Sequence, residues 1–155
     1  MSALIEVELM IVEDNPQDLE LAMLALREIC SSSRIHISRD GAEALDYLFC
    51  EGAFANRLIT DRPKVILLDL KLPKVSGLDV LRRLKGDIRT RSIPVVMLTS
   101  SREQRDVVES YDLGVNSYIV KPVNFERFSE AVRDLGLYWQ LLNQPPEVVS
   151  DSSAR

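Results

Sequence analysis

Short, wholly apolar runs recur along this chain, and each is followed by a segment with helical spacing. The clearest is Val65–Asp69 (VILLD), apolar up to its last residue. Such a run suits a strand buried on both faces, which is the habit of parallel sheets covered by helices on either side. Val7–Val12, Arg34–Arg39, Pro94–Leu98 and Ser117–Val120 read as four further strands. Between them Pro16–Ser31 reads as a helix, with Asn15 as its N-cap and Pro16 at its first position. Gly41–Cys50 carries Ala44, Leu45, Leu48 and Phe49 at helical spacing, and Ser76–Lys85 carries Leu78, Leu81 and Leu84. Glu103–Leu113 reads as a helix capped by Ser101-x-x-Gln104 and stopped by Gly114, and Asn124–Leu142 as the last one. Five strand–helix units in succession predict an α/β, doubly wound (βα)5 parallel sheet. One connection stands out: Glu51–Pro63 has thirteen residues, where such links usually take about 2–6.

The length fits one domain, expected over residues 1–143, with 144–155 (QPPEVVSDSSAR after Asn143) as a disordered polar tail. Nineteen basic against 24 acidic residues leave a formal charge of −5, which disfavours nucleic acid as the partner. No apolar run approaches the ~18 residues of a membrane span, and the N-terminus lacks the basic and apolar regions of a secretory signal. Two cysteines, Cys30 and Cys50, fit a reducing cytoplasm, packed as small hydrophobes. His36 is the only histidine and is expected on the exposed surface, so the chain offers no phosphohistidine donor of its own. The basic stretch Arg82–Arg91 is read as a solvated helix end, with docking of an acidic partner as the alternative.

Ligands of open parallel sheets bind beyond the carboxyl ends of the strands. Those ends carry Glu13 and Asp14, then Asp69, Thr99 and Lys121. Any one acidic residue there is explained as a cap or a loop charge; the convergence of all five is not. The set suits phosphoryl transfer to a carboxylate. An aspartate is already ionised at neutral pH and needs no general base. A hard cation, Mg²⁺ or Mn²⁺ in its place, offsets the crowded negative charge, while the Lys121 ammonium and Thr99 hydroxyl address phosphoryl oxygens.

Four stretches in order, IVEDNPQD (11–18), LLDLKLPKVSG (67–77), PVVMLTS (94–100) and GVNSYIVKP (114–122), resemble the receiver domain of bacterial response regulators over residues 6–135. The resemblance implies a flavodoxin-like sheet of order 2-1-3-4-5, with Asp69 as phosphoacceptor from a sensor histidine kinase. It implies that Asp14 and Asp69 bind the metal directly, Glu13 through water, and that the backbone carbonyl of Lys71 completes the set. Thr99 and Tyr118 resemble the family's switch pair, and Lys121-Pro122 its cis peptide. The implied output is a change in the face formed by the fourth helix, fifth strand and fifth helix. The fourth helix offers mainly Val107, Val108 and Tyr111 to the core, few anchors for an element that has to stay put.

After Leu142 the chain is too short for an output domain, so the signal is expected to leave through contact with a downstream protein not identifiable from sequence. The last helix has an apolar stripe sufficient for the sheet, and its final turns add apolar residues beyond it. Tyr138 and Leu141, off that stripe, and Trp139, at its end, are candidate interface residues of a homodimer. This ending and the long connection before the third strand resemble the single-domain regulators of bacterial, cyanobacterial-type phytochrome kinases, implying a phytochrome as the kinase. The chain is thus expected to be a switch that catalyses only its own phosphorylation and dephosphorylation. Two alternatives stand. A Mg²⁺-dependent phosphatase with an Asp nucleophile usually wants a second Asp where Lys71 stands. A receiver-like interaction module that takes no phosphate has no use for the full acidic set.

Overall fold

The computed structural model describes residues 8–29 and 34–121, together with 126, 127 and 130. Five strands, β1 (Glu8–Val12), β2 (Arg34–Ser38), β3 (Val65–Leu68), β4 (Val95–Thr99) and β5 (Ser117–Val120), form one sheet in the order β2-β1-β3-β4-β5. Every neighbouring pair is parallel, with Val12 opposite Leu68, Leu68 opposite Met97, and Thr99 opposite Val120. This is the flavodoxin-like sheet expected from the sequence.

Alternation within each strand divides the core into two layers. Leu9, Ile11, Val65, Leu67, Val96 and Leu98 face α1 (Pro16–Ile29), packing with its Leu19, Ala22 and Leu26. Met10, Val12, Ile66, Leu68, Val95 and Met97 face the other way, against α2 (Gly41–Leu48) and α3 (Gly77–Lys85). β3 and β4 are buried along their whole length, which is why their sequences show no polar alternation. Each large aliphatic side chain so buried contributes about 1.5–3 kcal/mol.

The caps act where the sequence places them at α1. Asn15 Oδ1 accepts from the backbone N–H of Gln17 at 2.9 Å and of Asp18 at 3.0 Å. Ser76 caps α3 by accepting from Asp79 N at 3.2 Å. Gly114, at φ +105°, ends α4 (Gln104–Asp112) in a conformation that side chains resist.

Three expectations are corrected. The Ser101-x-x-Gln104 box does not form: the N-cap position is Glu103, without a side-chain cap. Ser101 Oγ instead accepts from Glu103 N at 3.3 Å and donates to Asp106 Oδ2 at 2.5 Å, closing the β4–α4 loop on the helix. In α4, Val108 and Tyr111 are about half exposed and only Ser110 is buried, so this helix is anchored even less than its sequence suggests. His36 is half-buried rather than exposed. Its ring stacks on Tyr47 at 3.6 Å with Phe54 edge-on, its Nε2 is buried without a protein partner, and burial lowers its pKa. The stretch Arg82–Arg91 is the solvated helix end expected, with Arg82, Arg83, Arg89 and Arg91 exposed, and part of its charge is met by neighbouring groups. Arg82 bridges Asp79 and Glu109, Arg89 pairs with Asp87 at 2.8 Å, and Lys85 donates to two backbone carbonyls at 2.9 Å.

The long connection is ordered. It opens with a 3₁₀ turn at Gly52–Phe54, which delivers Phe54 to the His36–Tyr47 stack. Arg57 lies 3.7 Å over the Tyr47 ring and donates to the carbonyls of Tyr47 and Asp61. Cys50 follows α2 at φ 58° and is half-buried with a free thiol. Cys30, Pro122, most of the last predicted helix with Tyr138, Trp139 and Leu141, and the polar tail lie outside the described residues.

Candidate functional site

The site is assembled by continuing the sheet's hydrogen bonding one residue past the strand ends. Glu13 N donates to Ser38 O at 2.9 Å, Asp69 N to Val12 O at 3.0 Å, and Lys121 N to Thr99 O at 2.8 Å. Three chemically active residues are thereby set on one edge by backbone alone. The β3–α3 loop then has to turn sharply behind Asp69. It does so over Gly77, where a Cβ would lie 2.1 Å from the Asp69 carbonyl oxygen.

Carboxylate oxygens of Glu13, Asp14 and Asp69 lie within 4.8 Å of one another. Glu13 and Asp69 are buried and Asp14 is exposed. Three hard oxygen donors of this kind fit a divalent cation such as Mg²⁺ or Mn²⁺, open to solvent on the Asp14 side. Lys121, its side chain only 10% exposed, reaches into the same cluster. Its Nζ stands 2.6 Å from Glu13 Oε1, 2.9 Å from Asp69 Oδ2 and 3.0 Å from Asp18 Oδ2.

Burial pushes the Glu13 carboxyl up to about 7, with the Asp69 charge adding to it; hydrogen bonds from Lys121 and from Asn15 N, the latter at 3.1 Å, pull the other way. Burial also opposes the charge on Lys121, but hydrogen bonds to Glu13, Asp69 and Asp18 outweigh it and hold the ammonium well above the ordinary lysine value. The ammonium therefore stays protonated at any physiological pH.

Thr99 is fully buried, and its Oγ1 accepts from Ser101 N at 3.2 Å. Tyr118 is half-buried and donates its hydroxyl to Ser101 O at 3.0 Å, with burial raising its pKa. Both meet at Ser101, the residue that also grips α4. The backbone N–H of Lys71 donates to Asp69 Oδ1 at 3.3 Å, while its side chain is exposed. Asp18 was not among the residues singled out from the sequence. Its signal was its place in the first turn of α1, shortly after the acidic pair and the Asn15 cap.

Residues 9–133 match the response regulator receiver domain. The chain belongs to that family. Among curated relatives of this receiver, the probable methanogenesis regulatory protein FilR2 of Methanothrix harundinacea is 40% identical, covering 89% of this chain and 86% of its own. Response regulator Rcp1 of Synechocystis is 36% identical, covering 84% and 87%. Among solved structures, the bacteriophytochrome response regulator RtBRR superimposes with a TM-score of 0.79 at 54% identity, covering 92% of the receiver and 85% of that chain. The phosphorylated cyanobacterial phytochrome response regulator RcpA gives 0.76 at 38%, with 92% and 100% covered. The Mn²⁺-bound form of Rcp1 gives 0.74 at 34%, with 91% and 99% covered. Receivers of this kind are signalling switches, and among the described residues no helix is long and apolar enough to cross a membrane.

Proposed function

We propose that this receiver is a cytoplasmic phosphorylatable switch whose acceptor is Asp69. The observation that carries the reading is the placement of Asp69 against the Lys121 ammonium at 2.9 Å, inside an oxygen cluster fit for a cation. In the step proposed, an Asp69 carboxylate oxygen attacks the phosphorus of a histidine kinase's phosphohistidine. The P–O bond forms as the P–N bond breaks, the electron pair stays on the imidazole, and the product is an acyl phosphate. Glu13, Asp14 and Asp69, with the Lys71 carbonyl, would hold Mg²⁺, which when bound supplies positive charge to the phosphoryl oxygens. Lys121 supplies a second positive charge and Thr99 a hydroxyl. Two features support Thr99 and Tyr118 as the switch: both hydrogen-bond to Ser101, and Ser101 Oγ bonds Asp106 of the weakly anchored α4.

The test is incubation with acetyl phosphate and Mg²⁺. Stoichiometric labelling that is lost in Asp69→Asn is the expected result. Sustained release of phosphate at many turnovers would favour the phosphatase reading, and an unlabelled wild type the phosphate-independent module.

A phytochrome-type kinase is the partner best supported, because the bacteriophytochrome response regulator RtBRR and the cyanobacterial phytochrome response regulator RcpA each cover 92% of this chain. Dimerisation through the last helix, at Tyr138, Trp139 and Leu141, rests on the apolar excess of its sequence. Light scattering at tens of micromolar, a concentration at which weak protein pairs form (roughly 10⁻⁵ M), is expected to give a dimer for wild type and a monomer for Trp139→Ala. A monomeric wild type removes the idea.

A further inference from the structure

We infer that Asp18 is a positioning residue that keeps the Lys121 ammonium at Asp69 when the other two partners of that ammonium are drawn away. The inference rests on Asp69 being the phosphoacceptor. An ammonium has three protons, and here all three have a carboxylate: Glu13 Oε1 at 2.6 Å, Asp69 Oδ2 at 2.9 Å and Asp18 Oδ2 at 3.0 Å. The three are not equivalent. Glu13 and Asp69 belong to the oxygen group that fits a cation, and Asp18 does not. A cation in that group competes with Lys121 for the same oxygens. Phosphorylation goes further, turning the ionised Asp69 carboxylate into an uncharged acyl linkage. The cation thus loosens the Glu13 and Asp69 contacts, and phosphorylation the Asp69 contact, just when the ammonium has to be in place.

Asp18 is built to stay. Its backbone N–H is bonded to the Asn15 cap at 3.0 Å, so the first turn of α1 fixes where its side chain starts. A carboxylate is also favoured in that turn by the helix dipole. Lys121 comes from the end of β5, 103 residues away, on a flexible four-carbon stem. Only a partner outside the metal group ties that stem down independently of the metal. A bare first-turn acid would serve the dipole equally well pointing into solvent; this one meets the buried lysine.

The first measurement reads the anchor without any phosphorylation. In protein labelled with ¹⁵N-lysine and saturated with Mg²⁺, a hydrogen-bonded ammonium exchanges its protons slowly and gives a visible Nζ resonance. That resonance is expected for Lys121 in wild type and in Asp18→Asn, weakened in the latter, and lost in Asp18→Ala. A resonance equally sharp in all three overturns the inference. The second measurement pairs Mg²⁺ affinity by calorimetry with the rate of Asp69 labelling by acetyl phosphate at saturating Mg²⁺. Asp18→Ala is expected to label about tenfold more slowly with Mg²⁺ affinity changed less than about threefold, and Asp18→Asn to fall between. Equal rates, or affinity falling in step with rate, overturn it, since the latter is what a merely structural or bulk-charge role gives. An anchored resonance in a wild type that is never labelled sinks the phosphoacceptor reading and leaves the anchor standing.

Discussion

Gly77→Ala is expected to lower stability by about 3 kcal/mol and the melting temperature by about 10 °C, the upper range for overpacking in a chain of this size. The reason is where the added methyl would go. It would lie 2.1 Å from the Asp69 carbonyl oxygen, 2.7 Å from Leu70 Cα and 2.9 Å from the Asp69 carbonyl carbon. All three are backbone atoms, so no rotamer can yield. Gly77 N also donates to Leu70 O at 2.7 Å, and that bond holds α3 at the close approach. Either α3 backs away or the segment carrying Asp69 shifts. The second consequence is therefore functional: in the protein that remains folded at low temperature, Mg²⁺ binding and labelling of Asp69 both weaken. Gly86→Ala is the control. Gly86 lies at φ −88°, and its nearest obstruction is Arg82 O at 3.0 Å, within its own helix end. Thermal denaturation of both variants decides the point, with Gly86→Ala expected within about 1 kcal/mol of wild type. A Gly77→Ala protein that melts like wild type removes the close-approach argument.

The sheet edge was legible because strand ends are written locally. VILLD shows where burial stops and a charge begins, and parallel topology carries such ends to one side. The contacts that sequence missed are those made by long side chains between distant elements. Asp18 meets Lys121 across 103 residues, and no periodicity in either segment encodes that meeting. His36 fails for a related reason. On a short strand at the sheet edge it reads as exposed, but the long connection folds back and brings Phe54 over it. Residue spacing describes one element's faces; it does not say how far a loop will reach. Ser101 shows a third limit. A serine three residues before a glutamine satisfies the capping-box pattern, yet Asp106 competes for its hydroxyl, and the helix starts later.

Metal affinity is expected to fall as pH drops through neutrality, by up to about tenfold per unit below pH 7, because one buried carboxyl exchanges a proton for the cation. Glu13 is that group, pushed up to about 7 by burial and by the Asp69 charge, against hydrogen bonds from Lys121 and Asn15 N. The groups around it are Asp69, Asp14, Lys121 and, across the ammonium, Asp18. Lys121 is held protonated well above this range and contributes no proton of its own. An unfolded glutamate titrates near 4.5, so the raised folded value makes Glu13 favour the metal-free fold below that pH, a contribution lost as pH rises through about 7. Above neutrality the metal-free protein therefore carries the cost of an ionised buried carboxylate in a negative cluster, and a divalent cation relieves it. The rise in melting temperature on adding a fixed Mg²⁺ excess should accordingly grow between pH 6 and pH 8. Glu13→Gln removes the titrating group: its metal-free form should be less sensitive to pH across that window, and its Mg²⁺ affinity nearly flat. Calorimetric titrations at pH 6, 7 and 8 on both proteins test this. A wild-type affinity that does not change across the window means that Glu13 is already ionised in the metal-free protein, with the Lys121 pair outweighing burial.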